Sequence, residues 1–259
     1  MSQFKQNQVL DAETAKSARQ RVCRLGFWTS ILTAVTAAVA LGIAVTTAPA
    51  RSGPNCPPLV DMGVLESCVT YPYTDVAAFV PIEYIWMYPA FLLALLFVVM
   101  VICIHHYAAV DKKVFSQIAL SSAVISAATH AMNYFIQLAV VQPSLLKGEL
   151  EGLALFSQYN PHGIFIALED LGYFLMGITF LFVAVAFVPR NRLERAIRFT
   201  LIAGSILVVG GLILMALLYG SDLEYRYEVL SLTVDWIVLI VSGTLLSVFF
   251  RRAGRAVQL

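Results

Sequence analysis

The sequence predicts an all-α fold: a polytopic membrane helix bundle with six transmembrane helices and both termini in the cytoplasm. Composition, six long apolar runs and the placement of basic residues lead to this prediction. Of the 259 residues, 59% are hydrophobic and 13% are charged. Soluble domains are about 45–50% apolar and about 25% charged. The composition therefore indicates a membrane protein and excludes an ordinary soluble domain.

Six apolar runs define the predicted bundle, which we place at residues 26–250. Each run has about 20 residues, the length that an α-helix needs to cross the hydrocarbon core. The predicted spans are residues 27–48, 82–107, 115–141, 163–188, 197–219 and 229–250.

Basic residues set the predicted orientation. Fourteen of the 17 Lys and Arg residues lie before the first span, in the second and fourth loops, or after the sixth span. The opposite side has only Arg51, Lys147 and Arg226. Cytoplasmic loops carry an excess of Lys and Arg, so both termini are predicted to be cytoplasmic. Residues 1–25 and 251–259 become cytoplasmic basic tails, and the first tail either lies on the inner leaflet as a helix or acts only as a topology signal.

The first span allows a second interpretation as a cleaved signal peptide. Residues Ala48, Pro49 and Ala50 resemble a small-residue cleavage site after an apolar run. The run is longer than the usual apolar region of about 7–15 residues, and a long polar tail precedes it. Retention of the first span is the favoured interpretation, and cleavage would leave five spans.

The first exported loop, residues 49–81, contains Cys56 and Cys68. An oxidising compartment favours a disulfide between these two residues. Two free thiols are the alternative, and a zinc site has little support because no Cys-x-x-Cys motif or neighbouring His accompanies them. The loop is predicted to cap the exported mouth of the bundle or to dock another protein.

Two short motifs predict details of helix packing and helix ends. Ala34, Ala38 and Gly42 form a small-residue stripe that lets another helix approach the first span closely. Asn160, followed by Pro161, is predicted to cap the start of the fourth span.

The third span has a polar stripe that a lipid-facing helix would not keep. Spacings of four, three, four and four residues place the stripe on one helical face, so this face is predicted to point inward. The stripe consists of Ser122, Ser126, Thr129, Asn133 and Gln137, and it is flanked by His130 and Tyr134.

Carboxylates in the fourth and sixth spans lie at a similar depth in the outer half of the membrane. Counting residues at a rise of 1.5 Å places Glu169, Asp170 and Asp235 about 10 Å below the exported ends of their helices. Charges at such depth are costly and usually face a protein interior or a cavity. We therefore expect an outward-facing cavity between the third, fourth and sixth spans, with His130 near its floor. The predicted ligand-binding or proton-binding residues are His130, Asn133, Tyr134, Gln137, Glu169, Asp170, Tyr173 and Asp235.

These residues leave three functional classes open. The first is the binding or transport of a small molecule or a lipid in the cavity. The second is a membrane-embedded enzyme that acts on a lipid or quinone, with the carboxylates and His130 as acid and base. The third is a structural or accessory subunit, in which buried polar groups only satisfy each other across helices. A single intramembrane His argues against a bound metal, so neither a metal nor a cofactor is predicted.

The expected partners are membrane lipids and the cavity ligand, with an oligomer or a partner membrane protein as a further possibility. A net charge of +1, without a basic run that contains aromatic residues, gives no indication of nucleic-acid binding.

Two segments of the sequence resemble those of a known family. They are residues 159–173, with the sequence YNPHGIFIALEDLGY, and residues 191–195, with the sequence NRLER. Together they resemble an uncharacterised family of six-span prokaryotic integral membrane proteins. The resemblance implies a multi-pass protein in the cell (inner) membrane of a prokaryote, and the positive-inside rule predicts that the first long loop is exported. The resemblance implies no activity.

Overall fold

Eight α-helices make up most of the chain in the computed structural model, which describes the backbone of residues 2–258 and the side chains of residues 13–257. The helices are α1 (Ser2–Thr47), α2 (Cys56–Asp61), α3 (Met87–Tyr107), α4 (Lys113–Ile136), α5 (Gln142–Lys147), α6 (Ile164–Ala186), α7 (Arg192–Tyr219) and α8 (Glu224–Gln258). A π-helix at Gln137–Val141 joins α4 to α5. Single 3₁₀ turns occur at Gly53–Asn55, Ala77–Phe79, Ile82–Tyr84, Val110–Lys112 and Leu153–Leu155.

The described residues contain six helical segments that are long and apolar enough to cross a membrane. No β-strand occurs in the described part of the chain. The prediction of an all-α fold with six helices long and apolar enough to cross a membrane is therefore confirmed. The segments are Glu13–Thr47, Ile82–Tyr107, Val110–Lys147, Ile164–Ala186, Arg192–Tyr219 and Glu224–Val257.

The first and last helices extend well beyond the predicted spans. Helix α1 has 46 residues, which corresponds to a length of about 69 Å, more than twice the thickness of the hydrocarbon core. Neither predicted tail boundary, at residues 25–26 or 250–251, interrupts its helix. The basic segments therefore continue the spans instead of forming separate elements.

Five of the long helices close into a ring. Helix α1 packs against α3 and α8, α3 against α4, α4 against α6, and α6 against α8. Helix α7 lies outside this ring, in contact with α6 and α8. Much of its apolar surface is exposed, including Phe199 and Leu217, which suits a helix that faces lipid.

The predicted small-residue stripe of the first span lies only partly at the contact between α1 and α8. Ala34 is buried, but Ala38 is exposed, and a Cβ atom built on Gly42 would meet nothing within 4 Å. Helix α8 approaches through Gly243, where a Cβ atom would lie 2.8 Å from the Ser30 carbonyl oxygen. A strict four-residue spacing turns by about 40° at each step and so leaves the contact face. Other buried positions of α1 include Ser30, Thr33, Ala37 and Ala40.

The third span continues past its predicted end at residue 141. Pro143 has no backbone N–H, and its ring conflicts with the carbonyl group four residues earlier in a regular α-helix. The π-helix precedes it, and the Gln142 N–H donates to the Gln137 carbonyl, five residues back. This wider turn accommodates Pro143, so the helix continues to Lys147.

The fourth span begins within one residue of its predicted start at residue 163, but the predicted capping residue, Asn160, is wrong. Helix α6 begins at Ile164, and Gly163 is its N-cap residue. The Asn160 side chain instead accepts a hydrogen bond from the His162 N–H at 3.0 Å and donates to the Ala154 carbonyl at 2.8 Å. Asn160 therefore stabilises the turn before the helix.

The predicted disulfide between Cys56 and Cys68 is confirmed. It closes the segment that follows the first span, and Cys56 at the start of α2 is fully buried. The remaining cysteines, Cys23 and Cys103, are free and buried.

The close approach of α1 and α8 gives a direct test of this packing. We expect Gly243→Ala to destabilise the protein by about 1–3 kcal/mol, because the new methyl group meets backbone on α1 that cannot move freely. Thermal unfolding in detergent, followed by tryptophan fluorescence, measures the change. Gly42→Ala is the matched control and should leave the unfolding temperature unchanged or raise it slightly. Equal unfolding temperatures for both variants would contradict the helix contact described here.

Candidate functional site

A cavity of about 140 Å³ lies at the end of the bundle where α1 ends and α3, α6 and α8 begin. Three carboxylates face it from three different helical segments. Aromatic residues, including Trp86 and Phe165, form part of its wall. Its polar lining consists of Arg51, Glu83, Gln158, Tyr159, Glu169, Tyr225 and Glu228.

Glu83 is the carboxylate whose charge is compensated. The Arg51 guanidinium contacts Glu83 Oε1 through Nη2 at 2.6 Å and through Nε at 2.7 Å. The Tyr159 hydroxyl donates to the other oxygen, Oε2, at 2.8 Å. Arg51 also lies over the Phe79 ring, 3.5 Å from its centre. These contacts engage Arg51 fully with Glu83 and Phe79.

Burial raises the pKa of Tyr159, and the nearby Tyr84 and Glu83 raise it further. Tyr159 therefore keeps its proton at neutral pH and acts as a hydrogen-bond donor to Glu83. This bond connects the loop before α6 to the start of the second span.

Hydrogen bonds around Ser52 close one side of the cavity. The Ser52 hydroxyl donates to the Tyr159 carbonyl at 2.5 Å and lies 2.8 Å from the Tyr225 hydroxyl. The Tyr225 hydroxyl donates to the Gln158 carbonyl at 3.1 Å. The segment after α1, the loop before α6 and the start of α8 are thereby held together.

Glu169 and Glu228 face the same cavity without a basic partner. Glu169 is fully buried, and its Oε1 atom accepts a hydrogen bond from the Tyr134 hydroxyl at 2.8 Å. Glu228, at the start of α8, is close enough to interact electrostatically with Glu169. None of the ion pairs among the described residues involves either carboxylate. Two close carboxylates in a low-dielectric site rarely both carry a charge.

Two buried polar atoms on residues that line the cavity have no protein partner. They are Nε1 of Trp86 and Oε2 of Glu169, and each residue is at least 95% buried. Buried polar atoms in proteins almost always have a hydrogen-bond partner. Both atoms have almost no accessible surface, and the Glu169 carboxyl group also interacts with Glu228.

The polar stripe of the third span has a different role from the predicted one. Its side chains are buried, as expected, but they bond to backbone carbonyls, mostly those of α6. Ser122 donates to Leu175, Ser126 to Gly172, Asn133 to Phe165 and Gln137 to Phe156, at 2.9, 2.7, 2.9 and 2.6 Å. Thr129 bonds within its own helix, to the Ile125 carbonyl. The stripe attaches α4 to α6 and does not line the cavity.

His130, Tyr134 and Tyr173 form a cluster next to the cavity and not its floor. The His130 ring lies 4.4 Å from the Tyr173 ring and stacks on Tyr134 at 5.7 Å. The hydroxyl groups of Tyr134 and Tyr173 are 2.9 Å apart. A Cβ atom on Gly172 would lie 2.6 Å from the His130 ring, so glycine gives the imidazole its place against α6. The cluster reaches the cavity through the bond from Tyr134 to Glu169.

Asp170 and Asp235 lie outside the cavity lining, although Asp170 acts electrostatically on Glu169 and Glu228. Asp235 is fully buried and both of its carboxylate oxygens lack a hydrogen-bond partner, while Asp170 is partly exposed. Both act electrostatically on Tyr227, and neither lines the cavity. Adjacent residues are about 100° apart on a helix, which explains why Glu169 and Asp170 face different surroundings. Of the eight predicted ligand-binding or proton-binding residues, only Glu169 lines the cavity.

The sequence interpretation missed Glu228 as a member of the site. It was placed just outside the sixth span, one residue before the predicted start. A signal was available, because Glu228 precedes Asp235 by seven residues and so lies on nearly the same helical face. Arg51 and Tyr159 lie in loops, where no periodic pattern indicates a contact with Glu83.

The Glu83 cluster makes a testable contribution to stability. We expect Glu83→Gln to lower the free energy of unfolding by about 1.5–3 kcal/mol, because it leaves Arg51 without its charged partner. Chemical or thermal unfolding in detergent measures the difference. Asp111→Asn is the control, since the Asp111 side chain is 71% exposed and such pairs contribute about 0–1 kcal/mol. A Glu83→Gln variant as stable as this control would show that the cluster does not hold the cavity wall.

The chain matches no protein-family model, no curated protein and no solved structure. Functional conclusions for this protein therefore rest on the geometry of the cavity and on the chemistry of the residues that line it.

Proposed function

We propose that the protein binds a small cation or protonated amine in this cavity and transports it, with the Glu169–Glu228 pair exchanging a proton for the bound solute. The observation that carries the proposal is the presence of two carboxylates on the wall of one cavity without a basic partner in the described part of the chain.

The charge of the lining supports a cationic solute. Three carboxylates face the cavity, and its single Arg is paired with one of them, Glu83. Glu169 and Glu228 can therefore lower their mutual repulsion either by holding a proton or by binding a positive charge. A site that can do both has the chemistry that proton-coupled exchange requires.

The size and the walls of the cavity support a small solute. A volume of about 140 Å³ is below the range of about 300–1,000 Å³ that is typical of drug-sized ligands. It accommodates a small cation with a few water molecules, and it is too small for a whole lipid. Trp86 adds an aromatic face, which attracts cations.

The proposed orientation places this cavity on the exported side. Arg19, Lys113 and Arg190 meet at the opposite end of the bundle, where the basic loops lie. The positive-inside rule then favours cytoplasmic termini and an exported first loop. The resemblance of segment 159–173 to prokaryotic membrane proteins favours a prokaryotic cell membrane.

Neutralising one cavity carboxylate tests the proposal. In vesicles that contain the purified protein, we expect saturable uptake of methylammonium as a probe, accompanied by proton movement in the opposite direction. Glu169→Gln should reduce uptake at least tenfold, because it removes a charge and an acceptor from the cavity. Uptake of labelled methylammonium, together with an internal pH dye, measures both quantities.

Glu151→Gln is the matched control, since Glu151 is exposed in a loop and does not line the cavity. It should transport like the unmodified protein. Unchanged uptake in Glu169→Gln would contradict the proposal. A lower unfolding temperature without a specific loss of uptake would instead support the role of a structural or accessory subunit.

A further inference from the structure

A larger cleft, of about 580 Å³, lies at the opposite end of the bundle. It is formed by α1, the ends of α3 and α6, the start of α4, and α8. Its volume falls within the range of about 300–1,000 Å³ that is typical of ligand sites. It shares no residue with the acidic cavity.

The cleft is strongly basic. Arg19, Lys113 and Arg190 line it, and no ion pair among the described residues involves any of the three. Its single acidic residue, Glu194, accepts hydrogen bonds from the Arg190 N–H at 2.6 Å and from Asn191 Nδ2 at 3.1 Å. Glu194 thus stabilises the start of α7. The Lys113 ammonium donates to the His105 carbonyl, but none of the three cationic groups has an acidic side chain as partner among the described residues.

The remaining wall of the cleft is apolar. Val22, Ile104, Phe187 and Phe249 line it beside the basic groups. Arg19 itself lies over the Tyr107 ring, 5.2 Å from its centre. A ligand that fits both parts of the wall carries a negative group and an apolar chain.

We propose that this cleft binds an anionic phospholipid, whose phosphate contacts Arg19, Lys113 and Arg190 and whose acyl chain lies along Val22, Ile104 and Phe249. Basic pockets between transmembrane helices on the cytoplasmic side are suited to anionic headgroups. The assignment to the cytoplasmic leaflet rests on the proposed orientation. The site itself is independent of solute binding at Glu169.

Native mass spectrometry of the full-length protein in detergent tests the proposal. Phosphatidylglycerol and phosphatidylcholine with identical acyl chains are titrated separately, and we expect phosphatidylglycerol to bind more tightly. The double variant Arg19→Gln/Arg190→Gln should weaken phosphatidylglycerol binding by about fivefold for each cation removed, which corresponds to about 1 kcal/mol per cation.

The double variant Arg195→Gln/Arg255→Gln is the matched control. It removes the same charge from exposed positions outside the cleft and should retain the affinity. Equal losses in both double variants, or equal binding of the two lipids, would overturn the proposal. Competition by glycerol 3-phosphate at the same concentration would also overturn it, since a soluble phosphate would then suffice. The unfolding temperature without added lipid confirms that each variant folds, and the single variants replace any double variant that does not.

Discussion

The structure depends on one constraint: polar side chains on helices apolar enough to cross a membrane are costly to bury unless they bond within the protein. The polar face of α4 meets this constraint on the backbone of α6, where Ser122, Ser126 and Asn133 donate to carbonyl groups. These bonds fix the position of α4 along α6. They thereby place Tyr134 where its hydroxyl group reaches Glu169.

Helix α6 presents two adjacent carboxylates to different surroundings. Glu169 points to the cavity shared with Glu228, while Asp170 lies with Asp235 near Tyr227. The ion pair of Arg51 and Glu83 forms part of the cavity wall. The third span contacts the cavity only indirectly, through the hydrogen bond from Tyr134 to Glu169, and none of its residues lines the cavity.

Much of the fold was predictable from the sequence, because apolar length and cysteine position are local properties. The six spans and the disulfide follow from them. The face of the polar stripe was also predictable, since helical periodicity gives the direction of a side chain. The hydrogen-bond partners of the stripe were not predictable, because every residue has a backbone carbonyl and the sequence of α6 does not indicate which ones accept. His130 was expected at the floor of a cavity. Its ring instead packs against α6, because Gly172 has no side chain to occupy that space. Glu228 was missed because it lies at the end of an apolar run.

The central claim is that Glu169 and Glu228 share a proton that the exported aqueous phase can reach. Infrared difference spectroscopy between neutral and alkaline pH tests it most directly, because a protonated carboxyl group has its own absorption band. The account predicts a band at neutral pH that disappears at alkaline pH and that is absent from both Glu169→Gln and Glu228→Gln. A band that persists unchanged in both variants would contradict the account.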